Sequence, residues 1–163
     1  MTISDAIEKM IDFSHGNLHD IDHFLKVWAY AAAIGKQEEL DERTQQTLEL
    51  AAIVHDIACP LCRIKYGNTD GKNQERESAP LVETFFAGMP DGAADVARIS
   101  FLVSHHHTYT NVDGPDYQIL LEADFLVNAG ESAYSRTAIE NAKARVFRTA
   151  AGIRLIDSIY LKN

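Results

Sequence analysis

The stretch ERTQQTLELAAIVHDIA, residues 42–58, decides the fold class. Leu48, Ala51, Ala52 and His55 follow the i, i+3, i+4, i+7 spacing of one helical face, not the alternation of a half-buried strand. Asp41 stands in front of it as a capping residue, so a helix is expected over about Glu42–Ala58.

The same periodicity recurs on both sides. Toward the N-terminus, Ile3, Ile7, Met10 and Ile11 mark a helix over about 3–14 that His15-Gly16-Asn17 stops. Between them, His23, Val27, Tyr30 and Ile34 line a second helix over about Asp20–Ile34, with Gly35 as its end. Beyond the quoted stretch, residues 59–73 read as a long loop, and loops of that length are more often functional than ornamental. A helix over about Gln74–Ala87 follows, with Pro80 forcing a start or a kink. Asp91 is expected to cap the next, which ends in His105-His106-His107. After the turn at 111–115 comes a helix over about Asp116–Asn128. The tail, about 132–161, adds one or two more, with Val146, Ala150, Ile153, Ile156 and Tyr160 on one face. Strand signals are nearly absent and no repeat, low-complexity tract or linker divides the chain. The expectation is a single all-α domain over 1–163, a bundle of about six to eight helices.

Composition bounds the rest. The 163 residues are 46% apolar and 24% charged, the balance of a globular protein and not of a disordered or fibrous one. No apolar run reaches the length of a membrane span. The N-terminal residues carry neither a basic flank nor an apolar signal core, so the expected compartment is the cytoplasm. With 24 Asp+Glu against 15 Lys+Arg the net charge is −9, which argues against general nucleic-acid binding. Two cysteines, Cys59 and Cys62, are too few for a disulfide framework. They form a C-x-x-C without the strand and helix of a redox motif, and they read as ordinary loop cysteines.

The histidines carry the chemistry. Of seven, six fall in three places that coincide with an apolar helix face or end: His19 and His23, His55, and His105 to His107. Asp124 lies among Leu120, Leu121, Val127 and Asn128 at helical spacing, which turns a carboxylate toward the core. A buried Asp is costly unless paired or metal-bound. Imidazole and carboxylate are together a ligand set for divalent transition metals, and helices that each turn one inward can assemble a site in a bundle core. From spacing alone, a metal site and a set of separately satisfied core residues are equally open; Asp124 alone can be held by an Arg or by backbone donors.

In order, the pattern is His23, then His55-Asp56, then Asp124. It resembles the H…HD…D signature of the HD-domain superfamily of metal-dependent phosphohydrolases, whose fold is all-α and phosphodiesterase-like. His19-Asp20-Ile21-Asp22-His23 is similar to the family's H-D-x-x-H segment, residues 50–57 to its apolar run ending in H-D-I/L, and residues 121–128 to the segment with the final Asp. The resemblance covers about residues 15–130. It implies that His23, His55, Asp56 and Asp124 hold a divalent cation: Mn, Fe, Co, Ni, Zn or Mg. It implies hydrolysis of a phosphate ester of a small metabolite, a nucleotide foremost, by metal-activated water, with Asp56 and His105 as catalytic residues. Dinuclear members add histidines, and His105 and His106 fit one such segment, His105 the better. No histidine lies between 56 and 104, so Glu75 or Glu77 is the substitute ligand if two metals bind. With one metal, His105 and His106 would contact phosphate or donate a proton. Two alternatives stand beside this reading: a di-iron oxygenase on the same scaffold, which the missing histidine weakens, and a metal- or nucleotide-binding regulatory module without turnover.

Arg63, Lys65, Lys72 and Arg76 form a basic cluster just after the doublet, either a grip on substrate phosphate or a solvated loop. Arg63 and Lys65 lie nearer the doublet. Tyr109, Asp113 and Tyr117 flank the turn after the histidine triplet, as a lid or as packing. Trp28 reads as core. The C-terminal helices show no polar cluster and are expected to close the bundle, with a homodimer contact as a further role.

Overall fold

Short polar side chains start most of the helices. In the computed structural model, which describes residues 1–88 and 95–162, Thr2 and Asp5 form a reciprocal capping box at α1 (Ile3–Phe13). Asn17 caps α2 (Leu18–Gln37), and the Asp41 carboxylate accepts from the backbone N–H groups of Arg43 and Thr44 at α3 (Glu42–Val54). Ser135 caps α8 (Arg136–Arg145) and Thr149 caps α9 (Ala150–Ile156), which runs into a π-helical turn, Asp157–Leu161. Loss of such a cap costs about 1 kcal/mol. Nine α-helices, that turn and no strand occur among the described residues, so the chain is all-α. None of the helices is long and apolar enough to cross a membrane.

The stretch 59–73 differs from expectation. It is not one loop: Cys59–Tyr66 forms α4, and α5 (Gly71–Phe86) begins four residues after Gly67. Pro60 suits the first turn of α4, where its missing N–H would have had no partner. Cys59 and Cys62 anchor that helix by burial, and Gly67, at φ 71°, ends it in the left-handed conformation. Pro80 lies inside α5 and does not start it.

Gly35 does not end α2 either. It lies within the helix because α3 crosses there: a Cβ would run into the Gln45 side chain and meet Leu48 Cδ2 at 3.1 Å. The expected cap Asp91 lies outside the described residues, and α6 (Val96–Val103) is capped by Asp95, whose Oδ1 accepts from the Arg98 amide at 3.0 Å. The three histidines follow the end of α6 in the turn. Helix α7 spans Pro115–Glu131, with Pro115 in its first turn.

Helix α3 is the centre. Leu48 and every residue from Leu50 to Val54 are fully buried, because α1, α2, α6 and α7 all pack against it. Its C-terminal end therefore delivers His55 and Asp56 into the interior. Helix α2 packs on α3 and α7 together, which brings His23 to the same place as Asp124. The arrangement positions the site; α9 leans on α2 and α7 from outside.

Candidate metal centre

Four elements meet at one point. His23 comes from α2, His55 and Asp56 from the turn after α3, His106 from the turn after α6, and Asp124 from α7. The His23 and His55 Nε2 atoms lie 3.1 Å apart. Asp124 Oδ1 is 3.3 Å from the first and 3.5 Å from the second, and Asp56 Oδ2 is 3.5 and 3.6 Å away. The other Asp56 oxygen, Oδ1, faces His106 Nε2 at 3.4 Å.

The far ring nitrogens fix the tautomers. His55 Nδ1 contacts the Ala52 carbonyl at 2.8 Å and His106 Nδ1 the Val103 carbonyl at 2.7 Å. A carbonyl only accepts, so each Nδ1 carries a proton. His23 Nδ1 meets Glu131 Oε2 at 2.8 Å and donates to that carboxylate. In the neutral rings all three Nε2 atoms are then bare lone pairs, and two of them face each other across 3.1 Å beside two carboxylates. His106 Nε2 and His107 Nε2 are buried without a hydrogen-bond partner among the described residues. Such a set of acceptors without a proton between them is stable only around positive charge, so these residues fit a cation.

The titration behaviour has the same origin. Burial works against charge on His23, but the Asp124 hydrogen bond and the Asp56 and Asp124 charges outweigh it and pull the ring up to about 9. For Asp56 burial opposes ionisation, yet His55, His106 and His23 hold it well below the usual carboxylate range, and Asp124 is held down likewise by His23 and His55. His107 goes the other way, to about 4, through burial and then the neighbouring His106.

Two overlapping groups result. His23, His55 and Asp56 each offer one donor atom within 4.8 Å of the others, and so do Asp56, His106 and His107. Asp56 belongs to both. A cavity of about 360 Å³ opens onto them, with His23, Asp56, Asp124, His107 and Gln74 in its wall. Among the four residues first singled out in the sequence, Asp56 is the most open to it, its side chain 27% exposed.

Other sequence candidates fall elsewhere. His105 does not line this cavity: its Nδ1 donates to the Phe101 carbonyl at 2.7 Å and its ring stacks on Phe101 at 4.2 Å. His107 stands where His105 was expected, because the turn after α6 rotates the triplet by two positions. Glu75 accepts from Thr108 Oγ1 at 2.8 Å, and Glu77 from Lys65 Nζ at 2.7 Å and the Tyr66 hydroxyl at 2.5 Å, so neither carboxylate joins a group. Lys65 is thereby turned from the cavity, and Lys72 and Arg76 do not line it. Arg63 does, but both its terminal nitrogens hold Asp20 at 2.6 Å. Cys59 lines the wall as a thiol, since burial and the Asp56 charge push its pKa up.

Besides His107, sequence reasoning missed three residues. Gln74 is buried and lines the cavity; it donates to the Thr69 carbonyl at 2.9 Å, and its Oε1 has no hydrogen-bond partner among the described residues. An amide has no metal-ligand signature, so nothing marked it. Asn128 Nδ2 donates to Asp124 Oδ1 at 2.8 Å, and Glu131 orients His23 while Lys26 holds its other oxygen at 3.1 Å. The signal was available for these two: Asp124, Asn128 and Glu131 are four and three apart, one polar row along α7.

The family model for the HD domain matches residues 20–143. No curated protein matches the chain significantly, and no solved structure does.

Proposed function

The chain belongs to the HD-domain family, and from that premise we propose that it is a metal-dependent phosphohydrolase acting on a small phosphorylated metabolite, a nucleotide. The observation that carries this reading is the convergence of bare imidazole nitrogens and two carboxylates at the wall of an open cavity of about 360 Å³. His23, His55, Asp56 and Asp124 would hold the metal. When bound, it supplies Lewis acidity to a phosphoryl oxygen and a water of lowered pKa.

The protein's own residues do the rest. Glu131 and the Ala52 carbonyl keep the His23 and His55 rings turned with Nε2 inward. Asn128 donates to Asp124 Oδ1, the same oxygen that faces His23 and His55, and so fixes the rotation of that carboxylate toward the site. Arg63, steered by Asp20 at the cavity wall, has donors left for an anionic group of the substrate, as a planar fork. Burial of His55, His106 and Asp124 excludes water from their side of the cluster, so that these charges act at low dielectric.

A second reading has one observation in its favour. Asp56, His106 and His107 form a second donor group, and Gln74, whose Oε1 has no partner among the described residues, lines the same cavity. Two metals sharing Asp56 suit a dinuclear hydrolase and equally a di-iron oxygenase. The deciding experiment is a panel of nucleoside phosphates with Mn-, Co- and Fe-loaded protein, recording phosphate release and oxygen uptake. Phosphate release supports the proposal. Oxygen uptake with two irons per chain transfers it to the oxygenase, and nucleotide binding with neither product leaves a binding module.

A further inference from the structure

A second cavity, of about 310 Å³, adjoins the first, and Tyr109 lines both. Its other walls are Gln118 and Leu121 on α7, Val112, and Arg145, Val146 and Arg148 at the end of α8 and just beyond it. Leu121 is one helical turn from Asp124, so the two cavities follow one another along α7.

The charge there is of one sign. No carboxylate lines the second cavity among the described residues. The acid nearest in sequence on α7, Glu122, is fully buried, and its two oxygens are taken by Gln118 Nε2, the Arg148 and Thr149 amides and the Thr149 hydroxyl. Arg145 has no partner for its guanidinium among the described residues. Arg148 is fixed over the C-terminal carbonyls of α8: its Nη1 donates to Phe147 O at 2.8 Å and Ala144 O at 3.3 Å, and its Nη2 to Arg145 O at 2.8 Å. Those bonds go to neutral acceptors and leave the full charge and two N–H donors unused. Arg63, at the wall of the first cavity, and Arg98 differ in this respect, since both lie against carboxylates. Tyr109, about half exposed, offers a ring between the two cavities.

We propose that the Arg145–Arg148 cavity is a second anion subsite of the candidate centre. The substrate is then a nucleotide with two separate phosphate groups, one at the metal-binding cluster and one on the arginines, its planar base against Tyr109. This rests on the phosphohydrolase reading for the first phosphate only. An arginine pair without a competing acid binds phosphate through charge-assisted, fork-like hydrogen bonds, and an exposed tyrosine face accepts a base without reading its edges.

The first arm of the test needs no turnover. Inorganic phosphate is titrated into ¹⁵N-labelled protein, metal-loaded wild type beside the Asp56→Ala variant. Expected are saturable shifts of the Gln118, Arg145 and Arg148 amides in both, weakened roughly tenfold or more by Arg145→Gln, an exposed position whose change leaves the fold intact. Non-saturating shifts, or shifts that Arg145→Gln and the charge-reversing Arg145→Glu both leave alone, overturn the subsite. The second arm compares adenosine 3′,5′-bisphosphate with adenosine 5′-monophosphate. Expected is about tenfold tighter binding of the bisphosphate, with the ratio falling toward one in Arg145→Gln and in Tyr109→Leu. Equal affinities in the wild type, or a ratio that survives Arg145→Gln, overturn the proposal. Failure of the phosphohydrolase reading looks different: no metal and no phosphate release, with the Arg145 and Arg148 shifts intact.

Discussion

On one side of Tyr109 the cavity wall is imidazole and carboxylate; on the other it is guanidinium. The first is assembled from four separate elements, α2, α7 and the turns after α3 and α6, and its polar atoms are mostly buried. The second draws its charge from one helix end and the turn after it, and its arginines are exposed. A site that gathers lone pairs inside the core has to be held from many directions, since each bare acceptor is destabilising without a cation. A site that gathers positive charge at the surface stays solvated, and it needs only the absence of a competing acid.

The sharpest way to break this contrast is at Asp56, the one residue common to both donor groups. Asp56→Ala is expected to abolish metal retention and to lower kcat/KM by 10²–10³-fold or more, an order of magnitude set by loss of preorganised charge at the reacting centre. Elemental analysis beside phosphate-release kinetics checks it; a variant that keeps its metal removes Asp56 from the site.

Glu131→Gln is milder and separates orientation from ligation. The amide still reaches His23 Nδ1 but brings no charge, so metal affinity is expected to fall about 10–100-fold with the fold intact. Competition with a chelating dye measures this, and unchanged affinity means that Glu131 serves only Lys26.

The His23 ring gives a pH signature. Its value in the folded, metal-free protein, about 9, lies above the ordinary 6.5. A raised folded value means that the charged ring stabilises the fold, fully below pH 6.5 and no longer once the pH has risen through 9. The Tm of metal-free protein should therefore fall across that window, and bound metal, which replaces the proton, should flatten the slope. A metal-free Tm that stays level from pH 6.5 to 9 contradicts the charge balance described for the cluster.

The smallest effect belongs to Lys65. Its ammonium is paired with Glu77 at 2.7 Å and is half exposed, so Lys65→Ala should leave the Tm nearly unchanged. Its KM should match the wild type, whereas Arg63→Ala, at the cavity wall, should raise KM. A Lys65→Ala variant with the larger KM change would restore the basic-loop reading of the sequence.

How legible each cavity was follows from residue type and place. His23, His55 and Asp124 stand on otherwise apolar helix faces, where a polar residue is conspicuous, and the helical period alone sends them inward. Helix α3 was equally plain, because Leu48, Ala51 and Ala52 have one reading. His107 was not legible: consecutive histidines differ only by the rotation of the turn that carries them, and that rotation depends on how α5 packs, with Gly71 leaving room where a Cβ would lie 2.7 Å from the His107 ring. Residues 59–73 read as loop because Cys, Pro, Gly and Asn punctuate them, while tertiary burial of Cys59 and Cys62 supplies the helix. Arg145 and Arg148 carried no signal at all. An arginine at a helix end is ordinary, and its meaning comes from which acids fail to meet it in space.

The most direct measurement is calorimetric titration of Mn²⁺ into metal-free protein near neutral pH, in two buffers of different ionisation enthalpy, beside Asp56→Ala. Expected is saturable binding in the wild type with release of close to one proton, the one His23 otherwise carries, and no binding in the variant. Absence of binding in the wild type, or binding without proton release that Asp56→Ala preserves, contradicts a metal centre built on these residues.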